Sequence, residues 1–227
     1  MFGAKSRKRK ENVMKYRLTG ETIKKDGFTL YRIQATKDFG DVRKGDLGGF
    51  IESGNNLSNK GNAWVYDDAK VYGNAQVWGD AMVYENAEIY GNAWVFNKAR
   101  VCGNARVHGY ARIYDNAKIS GNAKVYGNAT VYSNARVFDE AWVCGKAEVC
   151  GNAWAYNNAV VYGKAKVCGH ALVYENAEIY GDVRVCGLAQ VYGNAQVYDD
   201  ALVYGNARVY GEARVCDFAQ VDGDVDC

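Results

Sequence analysis

Gly61-Asn62-Ala63-Trp64-Val65-Tyr66 is followed by Asp67-Asp68-Ala69-Lys70-Val71-Tyr72 and then by Gly73-Asn74-Ala75-Gln76-Val77-Trp78. The three hexads share one plan. It runs without insertion from Gly61 to Asp222 in 27 complete units, then into the partial Gly223-Asp224-Val225-Asp226-Cys227. The third position is Ala in 26 of the 28 units, the exceptions being Val183 and Val225. The fifth is Val or Ile in 26 of the 27 complete units, Ala155 standing alone. In an extended chain, residues two apart share a face, so Ala and Val point one way. The fourth residue and the usual Tyr at the sixth point the other way. Gly-Asn then supplies a turn, because both tolerate the left-handed backbone region. Apolar positions recurring at two and six do not follow a 3.6-residue period, so a helix is excluded.

So short a strand cannot bury its own apolar face; stacking identical units into a solenoid can. The number of hexads per coil is legible at the first, Gly-dominated position. Other residues stand there at 67, 85, 97, 115, 133, 139, 157, 175, 199 and 217, and six of the nine successive gaps are 18 residues. Cys150, Cys168 and Cys186 repeat the same spacing. Three hexads per coil therefore make a triangular prism. The fold expected is an all-β, three-sided parallel β-solenoid of about nine coils, roughly 45 Å long at about 4.8 Å per rung.

Residues 1–60 do not repeat. Residues 1–13 form a basic tail expected to be disordered, 14–60 a small N-terminal β cap, and 61–227 the solenoid. Tyr16–Leu18 and Phe28–Ala35 read as strands about an Asp26-Gly27 hairpin turn. The cap is needed because a solenoid end exposes unpaired backbone and open core. The two portions differ in sign: 14 basic and 7 acidic residues in 1–60, 14 and 19 in 61–227. Asp217, Asp222, Asp224 and Asp226 gather at the other end, where charge can blunt an edge or serve an end-to-end contact.

The whole chain of 227 residues carries a formal charge of only +2, against a surface bound all over by nucleic acid. It has no apolar run long enough to span a bilayer and no apolar stretch of a secretory signal near its start. The seven cysteines read as reduced thiols, so a cytoplasmic location is expected.

Val with a small residue two positions earlier, repeated in sixes, resembles the left-handed β-helix of hexapeptide-repeat proteins. The left hand comes from that resemblance alone. This chain departs from the usual pattern in placing Tyr directly after the aliphatic residue and Gly one later. Lys15–Leu18, Asp38–Val42 and Gly45–Gly49 are similar to the lead-in of a bacterial and phage-borne group of such proteins, commonly labelled acyltransferases. The resemblance implies architecture and a phage or prophage setting.

A transferase of that family places its catalytic His on a loop leaving the coil, with coenzyme A in a cleft between trimer neighbours. Here His108 and His170 lie inside unbroken hexads, on different faces, as substitutions of Tyr and Asn. No catalytic residue, cofactor or metal is assigned. Cys150, Cys168 and Cys186 form a straight ladder, poor for tetrahedral zinc. The sixth position holds 15 of the 18 tyrosines. They form aromatic ladders that stabilise the stack and could serve as a partner-binding wall. The residues singled out for binding are Trp64, Trp94, Trp142, Trp154, Tyr162 and Tyr180, since exposed Trp invites a partner. Arg100, Arg106, Arg112, Arg136, Arg184, Arg208 and Arg214 at the variable position could meet single-stranded nucleic acid, which the negative repeat and its net charge disfavour. The expected function is a non-catalytic rigid scaffold engaging or sequestering a macromolecular partner, most readily a host protein. A homodimer or end-to-end assembly is also open, an acyl-CoA-dependent acyltransferase is the competing class, and no membrane is involved.

Overall fold

The computed structural model describes residues 14–226, so the basic tail expected over 1–13 lies outside the described residues. The fold is an all-β parallel solenoid with three sheets and no helix among those residues. After β1 (Tyr16–Lys25), β2 (Phe28–Ala35) and β3 (Leu47–Ile51), 28 strands of two residues each follow, one per hexad. The first 27 consist of the fourth and fifth residues of their units and pair in parallel 18 residues away, as Arg100 with Lys118 and Val101 with Ile119. The first face runs from Trp64–Val65 to Asp224–Val225. The second runs from β3 through Lys70–Val71 to Arg214–Val215, and the third from Gln76–Val77 to Gln220–Val221.

The core is a column of Ala and Val or Ile with no exposed surface over most of its length. Corners close with the third-position amide donating to the preceding sixth-position carbonyl, as from Ala111 to His108 at 3.4 Å. The residue at the first position has positive φ, as in a type II′ turn. All ten non-Gly residues at that position adopt φ between 50° and 59°. The strain this costs an L-residue is offset by contacts between coils. Glu85 Oε2 accepts from the Gly103 amide at 2.6 Å, and Glu175 Oε2 from the Gly193 amide at 2.8 Å.

The ladder has a polar sense. The second, fourth and sixth amides of each coil donate to the first, third and fifth carbonyls of the next, as Asn92 to Gly109 (2.7 Å), Trp94 to Ala111 (2.9 Å) and Phe96 to Ile113 (3.0 Å). Proline at any of these three positions would remove a donor, and the repeat holds none. The first coil consequently offers carbonyls upward, and the head meets them with donors. Lys15 Nζ donates to Ala63 O at 2.7 Å and Gly61 O at 3.3 Å. Asn56 Nδ2 donates to Gly73 O and Ala75 O, each at 2.9 Å. On the remaining corner the Phe50 amide takes Ala69 O at 2.8 Å, and Arg32 Nη1 takes Asp67 O at 3.1 Å.

The hairpin turns at Asp26 (φ 48°) and Gly27 (φ 85°), and β1 is longer than the three residues expected, pairing with β2 down to Lys25–Phe28. The parallel stack begins ahead of Gly61. Phe50 and Ile51 of β3 pair in parallel with Lys70 and Val71, and Leu57 bridges Val77. The lead-in thus supplies a further coil, and the prism has about ten turns. At the far end, Val225 does not occupy a third position. It pairs with Val209, 16 residues back, and takes the aliphatic slot because the last corner is two residues shorter.

Candidate functional site

The sixth-position side chains stack into ladders down the prism. On the first face Phe138, Tyr156, Tyr174, Tyr192 and Tyr210 lie 4.9–5.3 Å apart, centroid to centroid. On the second face Tyr72, Tyr90, His108 and Tyr126 stack at 4.7–5.2 Å, and Tyr162, Tyr180 and Tyr198 at 4.9–5.1 Å. On the third face Trp78, Phe96, Tyr114 and Tyr132 stack at 4.5–5.1 Å. The rings are half-buried against one another, and burial pushes the Tyr84 and Tyr174 hydroxyls up to about 12. Tyr126 is pushed equally far, first by its hydrogen bond to Cys144 and then by burial. Asn side chains at the second position build a further ladder, for example Asn158 to Asn176 (3.1 Å) to Asn194 (3.0 Å).

Both histidines belong to these ladders. His108 lies in the tyrosine stack, and burial holds its pKa below the usual value, with Arg106 and Lys124 acting in the same direction. His170 stands in an asparagine column, with Nε2 3.0 Å from Asn152 Nδ2.

The four tryptophans do not form one wall. Trp64 is 1 % exposed, which corrects its reading as a partner contact. The head folds over the first rung of this face, placing Phe39 at 5.3 Å and Tyr16 at 6.2 Å from the indole. Gly48 passes so close that a Cβ there would lie 2.7 Å from the ring. The other three divide among the faces: Trp154 on the first, Trp142 on the second, Trp94 on the third. Trp94 and Trp142 are 37 % and 40 % exposed. Each indole has a cation from an adjacent rung over it: Arg112 at 5.1 Å from Trp94, Lys124 at 4.3 Å from Trp142, Arg136 at 4.9 Å from Trp154. An exposed indole is thus satisfied within the chain by a cation–π contact and the stem of a long side chain.

The fourth-position columns distinguish the faces. On the second face Glu88 sits among Lys25 (3.0 Å), Lys70 (4.0 Å) and Arg106 (3.9 Å). On the third, Glu148 meets Lys166 at 2.8 Å. The first face reads Met82, Arg100, Lys118, Arg136, Trp154, Leu172, Gln190 and Arg208, with no carboxylate in the column until Asp224. Arg100, Lys118 and Arg136 occupy successive rungs, all exposed, and make no ion pair among the described residues. Sequence reading singled out Arg100 and Arg136 but not the column. Sorting fourth positions by their 18-residue remainder would have found it.

Asp217, Asp222, Asp224 and Asp226 are exposed around the last rung. There, among the described residues, the strands Arg214–Val215, Gln220–Val221 and Asp224–Val225 have a partner on one side only. Phe218 beside them is 82 % exposed. No three His, Cys, Asp or Glu side chains among the described residues converge to hold a metal. No helix of the structure is long and apolar enough to cross a membrane.

Comparison with known families agrees with this geometry. The family model of the YdcK beta solenoid repeat matches residues 99–112, 195–211 and 201–217. The last two windows are offset by six residues, one hexad. No curated protein matches the chain. Fold and repeat together define a β-helix repeat protein.

Proposed function

We propose that this protein is a non-catalytic, rigid scaffold that engages an acidic macromolecular partner, a protein, along its first face. The observation that carries the reading is the column Arg100, Lys118 and Arg136, three like charges on consecutive rungs without a carboxylate to neutralise them. Elsewhere on the prism Glu88 and Glu148 neutralise their cationic neighbours. Like charges about 4.8 Å apart repel and lower stability, so a column kept this way is suited to an external anion. Met82, on the rung before Arg100, adds apolar contact beside the cations. The stacked His108, the Asn-bonded His170 and the unbroken hexads favour binding over acyl transfer. The resemblance of the lead-in to phage-borne proteins supports a cytoplasmic role in a phage or prophage, with a host protein as the partner sequestered.

The test is capture from a bacterial lysate by the wild type and by the triple variant Arg100→Glu, Lys118→Glu, Arg136→Glu. Specific partners should be retained by the wild type, and by a control altered at Gln190 on the same face, and lost by the triple variant. Retention of the same partners by the triple variant would refute the reading. A second reading, end-to-end self-association, is favoured by the one-sided terminal strands and Phe218. Light scattering across a concentration series separates the two: growth in mass, abolished by Phe218→Asp, belongs to the second reading alone.

A further inference from the structure

The cysteine ladder on the third face carries an inference independent of the basic column. Cys150, Cys168 and Cys186 occupy the sixth position of three consecutive rungs. Their amides donate to Val167, Val185 and Val203 carbonyls at 2.9 Å in each case, so the three stems are held at the same height within each coil. Side chains in this column keep the rung spacing: Phe96 to Tyr114 is 4.9 Å and Tyr114 to Tyr132 is 5.1 Å. Cys150 is buried, whereas Cys168 and Cys186 are half-exposed. The other described cysteines, Cys102, Cys144 and Cys216, stand singly in their columns.

Three sulfurs on a straight line cannot surround a tetrahedral ion, which disposes of zinc. A linear, two-coordinate ion has the opposite requirement. With the zinc–thiolate length of about 2.3 Å as an upper measure, two metal–sulfur bonds laid end to end span at most about 4.6 Å, a little under one rung of the solenoid at about 4.8 Å. Soft thiolate ligands select copper(I) among the common metals. We propose that Cys168 and Cys186 form a two-coordinate site for a soft monovalent d10 cation, copper(I), held between successive rungs.

On binding, each thiol releases its proton to solvent as its sulfur bonds the ion. The metal remains at +1, nothing is oxidised or reduced, and the site passes from neutral to one negative charge. Lys166, paired with Glu148, and Arg184 occupy the fourth positions of the same hexads. Serine is compatible with this fold at the sixth position, since Ser120 already stands there on the first face.

The experiment titrates fully reduced, full-length protein into copper(I) bicinchoninate and follows loss of the coloured chelate. One copper(I) per chain should be withdrawn by the wild type and equally by Cys102→Ser and Cys144→Ser. Affinity should fall at least about tenfold in Cys168→Ser and in Cys186→Ser, some 1.4 kcal/mol. Circular dichroism should show all four variants folded as the wild type. No withdrawal by the wild type, equal withdrawal by Cys168→Ser, or zinc uptake from an indicator with the avidity of copper would each overturn the assignment.

Discussion

Lys15 is the residue on which the head turns. Its ammonium is buried, donates to two upward carbonyls of the first coil and lies 4.9 Å over the Phe39 ring. Burial lowers its pKa to about 8, Lys37 acting in the same direction. Lys15→Met keeps the stem and removes the donors, leaving Ala63 O and Gly61 O without them, at about 1–3 kcal/mol for each buried group left unpaired. The expected result is a lower urea midpoint with the slope unchanged. The pH dependence has a definite sign. Between pH 8 and 10.5 the unfolded chain holds a proton that folded Lys15 gives up, so this group adds stability as pH rises through that window. The difference between wild type and Lys15→Met, followed by urea unfolding at pH 7.5 and 9.5, should shift in favour of the wild type at the higher pH. None of this was legible beforehand. A lone Lys in Met14-Lys15-Tyr16 carries no mark of burial, and its need arises only from the acceptor-rich end it covers, whose polarity follows from hydrogen-bond directions.

At the scale of the element, each ladder is a stack of rings whose hydroxyls resist ionisation. Burial holds Tyr84 and Tyr174 near 12, and the hydrogen bond to Cys144 followed by burial does the same for Tyr126, above the ordinary value of 10. The stability this contributes is complete below pH 10 and is lost as pH rises through about 12, because the unfolded chain ionises first. Absorbance titration of tyrosinate should therefore show a late, cooperative rise coincident with loss of the β-sheet signal. A smooth rise centred on 10 with the fold intact would contradict the stacking. Within one ladder, Tyr174→Ser removes two ring contacts, with Tyr156 and Tyr192, at about 0.5–1.5 kcal/mol each beyond area burial. Thermal unfolding should show a drop of a few degrees. Period, face count and ladder positions were legible because Ala, Val and Tyr repeat at fixed residues. The shortened corner before Val225 was not: Gly223-Asp224-Val225 fits the hexad as written, and only pairing with Val209 reveals the two-residue skip.

At the scale of the whole molecule, the prism converts sequence distance into length at one rung per 18 residues. Spin labels at Lys70 and Arg214 lie on one column of the second face, eight rungs apart. At about 4.8 Å per rung their backbones should be separated by about 38 Å, whereas 12-residue coils would give about 58 Å. The same conversion sorts side chains into faces, and there sequence reading fell short. Trp64, Trp94, Trp142 and Trp154 look alike as fourth-position residues, yet one is buried under the head and the others occupy three faces. Composition marks an indole but does not say which rung carries a cation above it, or where a hairpin folds back. The basic column on the first face emerges only once residues are placed by column.

That column can be tested against net charge alone. Exchanging Lys118 with Gln76 and Arg136 with Gln220 leaves composition and total charge unchanged while dispersing the three cations over two faces, with no new run of cations on consecutive rungs. The measurement is salt-dependent binding of a fluorescent polyglutamate peptide to the wild type and to this isomer. Binding by the wild type that weakens with salt, with little or none by the isomer, is the expected result. Equal binding by both would mean that the first face has no special part, and would contradict the account.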